Sequence, residues 1–284
     1  MKESVLSFDC EGERLVGILA EPGVGQPAEV GVLIIVGGPQ YRIGSHRQFT
    51  LLARHLARQG VAALRFDYRS LGDSAGEARD FLGIEADIAA AIGALLKACP
   101  TLKYVVLWGL CDAASAALLY LESTRDARVS GVVLLNPWVR SPETLARTHV
   151  KHYYSRRILE KEFWLKLLSG RVGLEALRGL GGNLRLARST NRPKTESRSF
   201  QERMAAGLRG FDGPVLLILS GDDYTAREFV GHARSAEAWR GLLARPTLDL
   251  HELPSADHTF SATADQDSQF EICLDWLRTR CQGT

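Results

Sequence analysis

The stretch KYVVLWGLCDAASAALLYLE, residues 103–122, decides the fold of this chain. Its first part is an apolar run of strand length, and its last part has the apolar spacing of a helix. Between them, Gly109, Cys111 and Ala113 place a candidate nucleophile between two small residues. Small residues are needed where a buried strand turns sharply into a helix, because neighbouring backbone comes close there. The stretch therefore predicts a strand, a sharp turn that carries Cys111, and a helix whose N-terminus lowers the pKa of a thiol.

The same alternation of strand and helix patterns extends outward in both directions from this stretch. Strands are predicted at 30–36, 61–66, 103–108, 129–135, 214–219 and 247–253. Helices are predicted at 49–59, 84–98 and 112–122, around 228–243, and from about 266 to 280. Such alternation indicates an α/β fold with a mostly parallel central sheet flanked by helices.

The alternation breaks between Asn136 and Phe211, where the sequence predicts glycine-interrupted helices and no strand. We therefore expect a core made of residues 1–136 and 212–284, with a helical lid (cap) insertion at 137–211. Basic residues outnumber acidic ones in the first half of this insertion. That excess is typical of a solvated helix face, and it also suits an anionic group on a substrate carrier.

Composition excludes several classes of function. The chain has 284 residues, 45% of them hydrophobic, and a net charge of only +2, which argues against nucleic-acid binding. No apolar run approaches the roughly 18 residues of a membrane span, and no signal peptide is recognisable, so we expect a cytoplasmic protein. The cysteines form no metal-binding pattern and are expected to be free thiols, so no metal or cofactor is predicted. They are Cys10, Cys99, Cys111, Cys273 and Cys281.

A thiol nucleophile needs a general base and a group that orients the base. In chains with this kind of turn, the order along the sequence is nucleophile, acid, histidine. Asp223 follows the strand at 214–219 and is the preferred acid, with the adjacent Asp222 as the alternative. His258 follows the strand at 247–253 and is the expected base.

Attack on a carbonyl also requires N–H donors for the oxyanion. The backbone N–H of Asp112, next to the nucleophile, is the first expected donor. The second should come from the loop after the strand at 30–36, where Gly38 and Gln40 are the candidates. Pro39 lies between them and has no N–H to donate. Either Gln40 donates from its backbone or the loop takes an unusual path, and the Gly-Gly-Pro sequence is also typical of a simple tight turn.

Four stretches of the sequence resemble a known superfamily. FDYRSLGDSAG, residues 66–76, is similar to the loop after an early core strand in α/β hydrolases. GGPQYRIGSHRQF (37–49), WGLCDAASA (108–116) and LLNPWVR (134–140) resemble the exosortase A system-associated hydrolases of the first type. The resemblance implies the α/β-hydrolase fold and a hydrolase of bacterial gene clusters linked to exopolysaccharide and protein sorting, often near acyl-activating and acyl-carrier genes.

The chain departs from the usual pattern at two positions of the turn. Cys111 replaces the common serine, which resembles dienelactone hydrolases, and Ala113 replaces the second glycine. A thiol favours activated carbonyls, so we expect a Cys-His-Asp hydrolase that acts on a thioester or activated ester through an acyl-cysteine intermediate. An acyltransferase that passes the acyl group to an amine, alcohol or thiol is one alternative. A non-catalytic binding or scaffold protein on the same fold is the other.

Aromatic residues predict where a substrate would bind. The candidates are Tyr41, Trp138, Tyr153, Tyr154 and Trp164. Together with the basic residues of the insertion, they suit a small-molecule acyl substrate, including one carried on coenzyme A or an acyl carrier protein. Aromatic residues at helical spacing also pack helices against each other, which is the competing interpretation.

Overall fold

The computed structural model of the protein describes residues 1–23, 28–38, 40–140 and 198–281. These residues form one eight-stranded sheet in the order β1-β2-β4-β3-β5-β6-β7-β8. The strands are β1 (Lys2–Cys10), β2 (Glu13–Glu21), β3 (Val30–Ile35), β4 (Ala63–Asp67), β5 (Tyr104–Leu110), β6 (Val129–Leu135), β7 (Val215–Ser220) and β8 (Leu248–Leu253). The helices are α1 (Gln48–Arg58), α2 (Glu85–Ala98), α3 (Asp112–Thr124), α4 (Phe200–Gly210), α5 (Tyr224–Ser235) and α6 (Thr263–Trp276).

Most of the sheet is parallel. β1 pairs with β2 and β2 pairs with β4 in antiparallel fashion, whereas every pairing from β4 through to β8 is parallel. The carboxyl ends of these six strands therefore meet at one edge of the sheet, the edge at which ligands bind in open α/β sheets. The residues directly after β5, β7 and β8 lie at this edge.

Helices cover both faces of the sheet, which explains the long apolar runs in the sequence. Successive residues of β3 such as Val32 and Leu33 point to opposite faces, and both are fully buried. On the flanks, α1 packs against α6, while α3 packs against α2 and α4. The predicted α/β architecture with a mostly parallel sheet is confirmed.

One predicted helix differs from the structure. α5 begins earlier than expected because the Asp223 carboxylate accepts hydrogen bonds from the backbone N–H groups of Thr225 and Ala226. It ends where Ala236 adopts an extended conformation. The prediction of a helix at 228–243 is therefore wrong in its second half, where two short 3₁₀ turns replace it.

The chain divides into two compact units, Met1–Trp138 with Ser199–Thr284, and Val139–Arg198. Almost all of the second unit lies outside the described residues, so the predicted lid at 137–211 stays a prediction. None of the helices in the described part of the chain has the length and hydrophobicity that crossing a bilayer requires.

Candidate active site

Cys111 lies on a strained turn between β5 and α3. Its backbone has φ 62° and ψ −123°, a conformation that costs an L-residue about 1–3 kcal/mol. A side chain on Gly109 would come within 2.6 Å of the backbone of Ala113, so the turn requires glycine there. The Cys111 N–H donates to the carbonyl oxygen of Leu135 at 2.8 Å, which fixes the turn to the end of β6. The predicted sharp turn at Cys111 is confirmed.

The start of α3 gives this turn an electrostatic role. Cys111 is the N-cap residue of the helix. The first N–H groups of a helix and its dipole stabilise a negative charge at that end. A thiolate at position 111 therefore lies where the helix favours the ionised form.

An aspartate and a histidine pair across the loops after β7 and β8. His258 Nδ1 lies 2.8 Å from Asp223 Oδ2, and Asp223 is 7% exposed. Burial alone would raise the pKa of Asp223, but the hydrogen bond and charge of His258 and the N–H groups at the start of α5 lower it. The pair uses Nδ1, which leaves Nε2 as the ring nitrogen able to exchange a proton with a reacting group.

The structure also distinguishes the two candidate acids. The side chain of Asp222 is 84% exposed, and its ion-pair partner is Arg227 at 3.8 Å. The histidine contact belongs to Asp223, the preferred acid, and the alternative acid points to a surface arginine instead.

A buried polar network connects the ends of β6 and β7 to the histidine loop. Asn136, fully buried just after β6, donates from Nδ2 to Ser220 Oγ at 2.8 Å and to the carbonyl oxygen of His258 at 3.3 Å. Its Oδ1 accepts the N–H of Ser220 at 2.9 Å, and Ser220 Oγ donates to the carbonyl oxygen of Asp257 at 2.9 Å. Because Leu135 holds the Cys111 turn, this network joins the turn and the histidine loop to the same strand end.

The network consists of residues whose role the sequence did not reveal. Asn136 directly follows β6 and Ser220 ends β7, and both strands are mostly apolar. A polar residue at that position is the signal that could have identified them, because a buried strand end needs partners for its polar groups. Asp257 accepts the N–H groups of Thr259 and Ser261, both at 3.0 Å, and so shapes the loop that presents the histidine.

The predicted oxyanion residues are arranged differently from the expectation. The Gly38 N–H donates to Asp112 Oδ2 at 2.9 Å, so the side chain of Asp112 contacts one candidate donor directly. Gln40 Oε1 accepts the N–H of Ser45 at 3.3 Å. Pro39 lies outside the described residues. The sequence assigned only the backbone N–H of Asp112 to this site and did not anticipate its carboxyl group.

The predicted substrate-binding residues are only partly described. Tyr41 is 45% exposed, and the guanidinium of Arg42 lies 5.9 Å from the centre of its ring. Trp138 is half-buried, and its carbonyl oxygen accepts a hydrogen bond from Ser115 Oγ at 2.6 Å. Tyr153, Tyr154 and Trp164 lie outside the described residues.

The described residues contain no group of three or more His, Cys, Asp and Glu side chains placed to hold a metal ion. The cysteines are all thiols rather than disulfides. Burial raises the pKa of Cys273 and of Cys281 to about 12, so both are protonated and unreactive at neutral pH.

Comparison with known proteins identifies a matching family and several structures with a similar fold. The sequence profile described as "Alpha/beta hydrolase family" matches residues 32–270. None of the curated proteins searched matches the sequence. An esterase of Pyrococcus furiosus has a similar structure, with a TM-score of 0.63, 16% identity, and coverage of 99% of this chain and 94% of the esterase.

Two further solved structures share the fold. A dienelactone hydrolase of Anabaena variabilis superposes with a TM-score of 0.62 and 15% identity, covering 98% of each chain. An α/β serine hydrolase without a lid from Xanthomonas campestris has a TM-score of 0.57 and 14% identity, covering 98% of this chain and 94% of the other. At these identities the likeness shows the fold alone.

Proposed function

The chain belongs to the alpha/beta hydrolase family, and from that premise we propose that it is an acyl-processing hydrolase with Cys111 as its nucleophile. In this proposal His258 is the general base and Asp223 orients it. The main support for this proposal is the strained backbone of Cys111. It lies at the carboxyl edge of the sheet, where the loops after β7 and β8 also present the His258–Asp223 pair. Residues in such sparsely populated conformations persist only where the surrounding structure fixes them, and they cluster at active sites.

The proposed reaction has two chemical steps. His258 Nε2 takes the proton of Cys111, whose sulfur attacks the carbonyl carbon of a thioester or ester, and the carbonyl oxygen becomes an oxyanion held by backbone N–H groups. The leaving thiol or alcohol takes the proton from the imidazolium, and an acyl-cysteine remains. Water then gives a proton to His258 and attacks the acyl carbon. The sulfur leaves and regains that proton, which completes hydrolysis.

The ionised Asp223 supports both steps without exchanging protons. Its lowered pKa keeps the carboxylate charged at neutral pH, and its hydrogen bond to Nδ1 fixes the tautomer that has a free lone pair on Nε2. The charge also stabilises the imidazolium that forms during each attack. Asn136 and Asp257 hold the loop that carries the histidine.

The thiol sets the class of substrate. An acyl-cysteine is itself a thioester, so its formation is nearly balanced from another thioester and favourable from an activated ester, whereas its formation from an amide is strongly uphill. We therefore propose thioesters and activated esters, including those on coenzyme A or an acyl carrier protein, as the substrates. An acyltransferase would share the acyl-cysteine and differ only in the second nucleophile. Membership of the exosortase-associated subgroup and the helical lid over the site remain predictions.

Intact mass spectrometry after exposure to a panel of acyl thioesters and activated esters tests the proposal. We expect the wild type to gain one acyl mass, and Cys111→Ala to gain none and to lose turnover. Cys99→Ala is the matched control, because Cys99 is also half-buried but lies after α2. It should be acylated like the wild type.

Three results decide between the candidate functions. Turnover that persists in folded Cys111→Ala would remove the proposed nucleophile. Absence of any acyl mass or turnover over the whole panel would favour the non-catalytic alternative. Products formed with added amines, alcohols or thiols would identify acyl transfer.

A further inference from the structure

The carboxyl group of Asp112 lies where an oxyanion hole is expected. Its Oδ2 accepts the Gly38 N–H at 2.9 Å, and that N–H comes from the loop after β3 that should supply the second oxyanion donor. A side chain on Gly37 would come within 2.2 Å of Oδ1, so the absence of a side chain there gives the carboxyl group its space. Gly37 and Gly38 after β3 and the Cys111 turn after β5 thus surround the Asp112 carboxyl group.

This carboxyl group is only partly satisfied in its position. Among the described residues, Oδ1 is buried and meets no donor in good hydrogen-bond geometry, although the N–H groups of Ala113 and Asp112 interact with the carboxyl group. A buried polar atom without a partner costs about 1–3 kcal/mol, so this arrangement is not explained by stability alone.

The charged and titratable groups around Asp112 come from three elements. His258 from the loop after β8 and Tyr68 from the end of β4 both interact electrostatically with Asp112, and Cys111 precedes it on the turn. Burial raises the pKa of the Asp112 carboxyl, while the N–H groups of Gly38, Ala113 and Asp112 itself and the charge of His258 oppose that rise. The Asp112 carboxyl group is therefore poorly solvated, and backbone N–H donors of the kind that stabilise an anion hold it in position.

We propose that Asp112 is a specificity-determining residue whose carboxyl group occupies the Gly38 donor in the resting enzyme and is displaced by the carbonyl oxygen of the substrate. This inference rests on the proposed function. A carboxylate is a stronger hydrogen-bond acceptor than a neutral carbonyl oxygen. The substrate oxygen therefore replaces Asp112 Oδ2 at the Gly38 N–H only as it gains negative charge in the transition state. Displacement costs the same for every substrate, so only acyl groups activated by a good leaving group react at a useful rate. Acyl groups that carry a negative charge next to the carbonyl are disfavoured by repulsion from the carboxylate.

Two probes of Cys111 separate this effect from a change in thiol reactivity. Acylation by p-nitrophenyl acetate requires an oxyanion site, whereas alkylation by iodoacetamide is a direct displacement that does not. Both reactions consume the same Cys111 thiolate, so a change in the thiol pKa affects both rate constants. The ratio of the acylation rate constant to the alkylation rate constant therefore measures the contribution of the oxyanion site. We compare the wild type with Asp112→Ala and Asp112→Asn and check folding by thermal denaturation.

The two variants should differ in a defined order. Removal of the carboxyl group frees the Gly38 N–H, so Asp112→Ala should raise the ratio of acylation to alkylation about tenfold. Asp112→Asn keeps a neutral acceptor of the same shape and should raise it about threefold, because charge-assisted hydrogen bonds are about twice as strong as neutral ones. If Asp112→Ala does not fold, the isosteric Asn variant decides the question on its own.

An unchanged or reduced ratio in folded variants that are still acylated overturns the inference and leaves the proposed function intact. Alkylation of Cys111 with no acylation in the wild type or any variant overturns the proposed function and the inference together.

Discussion

Replacement of Asn136 should destabilise the fold and slow catalysis together, because this residue joins three parts of the site. Asn136→Gly removes the side chain while keeping a backbone that accepts the native φ of 44°. Asn136→Ala removes the same hydrogen bonds and adds a side chain that the left-handed conformation disfavours. The difference in unfolding free energy between the two variants therefore measures the cost of the left-handed backbone for a residue with a side chain, reduced by the smaller unfolded-state entropy of Ala.

The magnitude follows from the contacts that are lost. Three hydrogen bonds disappear, and the buried N–H of Ser220 loses its acceptor at 2.9 Å. Ser220 Oγ keeps its bond to the carbonyl oxygen of Asp257, so it is not orphaned. The unsatisfied Ser220 N–H costs about 1–3 kcal/mol and each of the two other lost hydrogen bonds about 1 kcal/mol, so we expect Asn136→Gly to lose about 3–5 kcal/mol. Asn136→Ala should lose about 1 kcal/mol more than Asn136→Gly. The strain of Ala in the left-handed conformation exceeds the stabilisation that Ala gains over Gly because its unfolded chain has less conformational entropy.

Urea denaturation followed by circular dichroism measures both values, and acylation of Cys111 measures the effect on the site. The reasoning would be refuted by an Asn136→Gly variant whose unfolding free energy lies within about 0.5 kcal/mol of the wild type, the range of ordinary surface substitutions. An Asn136→Ala variant as stable as Asn136→Gly would contradict the part of the argument that concerns φ.

Three further predictions concern the acid and the turn. Asp223→Asn should lower kcat by roughly 10²- to 10⁴-fold, because the amide no longer orients the histidine as a base, while Asp222→Asn should retain wild-type kcat. The pKa of Asp223 is lowered on folding, so its stabilisation is full above the ordinary pKa of about 3.9 and is lost as pH falls through the folded pKa. The fall in melting temperature on acidification below that value should therefore be smaller in Asp223→Asn, and an identical acid profile would contradict the assignment. Gly109→Ala should cost about 3 kcal/mol or more in urea denaturation, because its side chain would collide with the Ala113 backbone, whereas Gly210→Ala meets no atom within 4 Å and should be neutral.

The sequence is most informative where residues are buried on both sides of the sheet. The prediction of a strand at 129–135 matches β6 residue for residue, because a strand covered on both faces is mostly apolar, and Ser130 is the one polar side chain of β6. The hairpin of β1 and β2 was not predicted, since Lys2–Cys10 alternates between exposed and partly buried residues with many polar ones. Its turn at Glu11 and Gly12 has positive φ at both positions, for which Glu-Gly is a weak signal.

The candidate site was predictable in its residue types and their order, and less so in its geometry. The position of Cys111 followed from Gly109 and from the strand and helix on either side. The carboxyl group of Asp112 did not, because the direction of that side chain depends on the unusual φ and ψ of the residue before it. The role of Asn136 likewise depends on contacts with Ser220, which is 84 residues further along the chain.

The long sequence separations within the polar network also affect how the protein is made. The contact between Asn136 and His258 joins residues 122 positions apart, and translation at about 5–20 residues per second needs roughly 6 to 25 s to cover that interval. During this time Cys111 has been synthesised and its proposed base has not. In the proposed mechanism the nascent polypeptide therefore cannot use base-catalysed acylation, which begins only after His258 has left the ribosome and paired with Asp223.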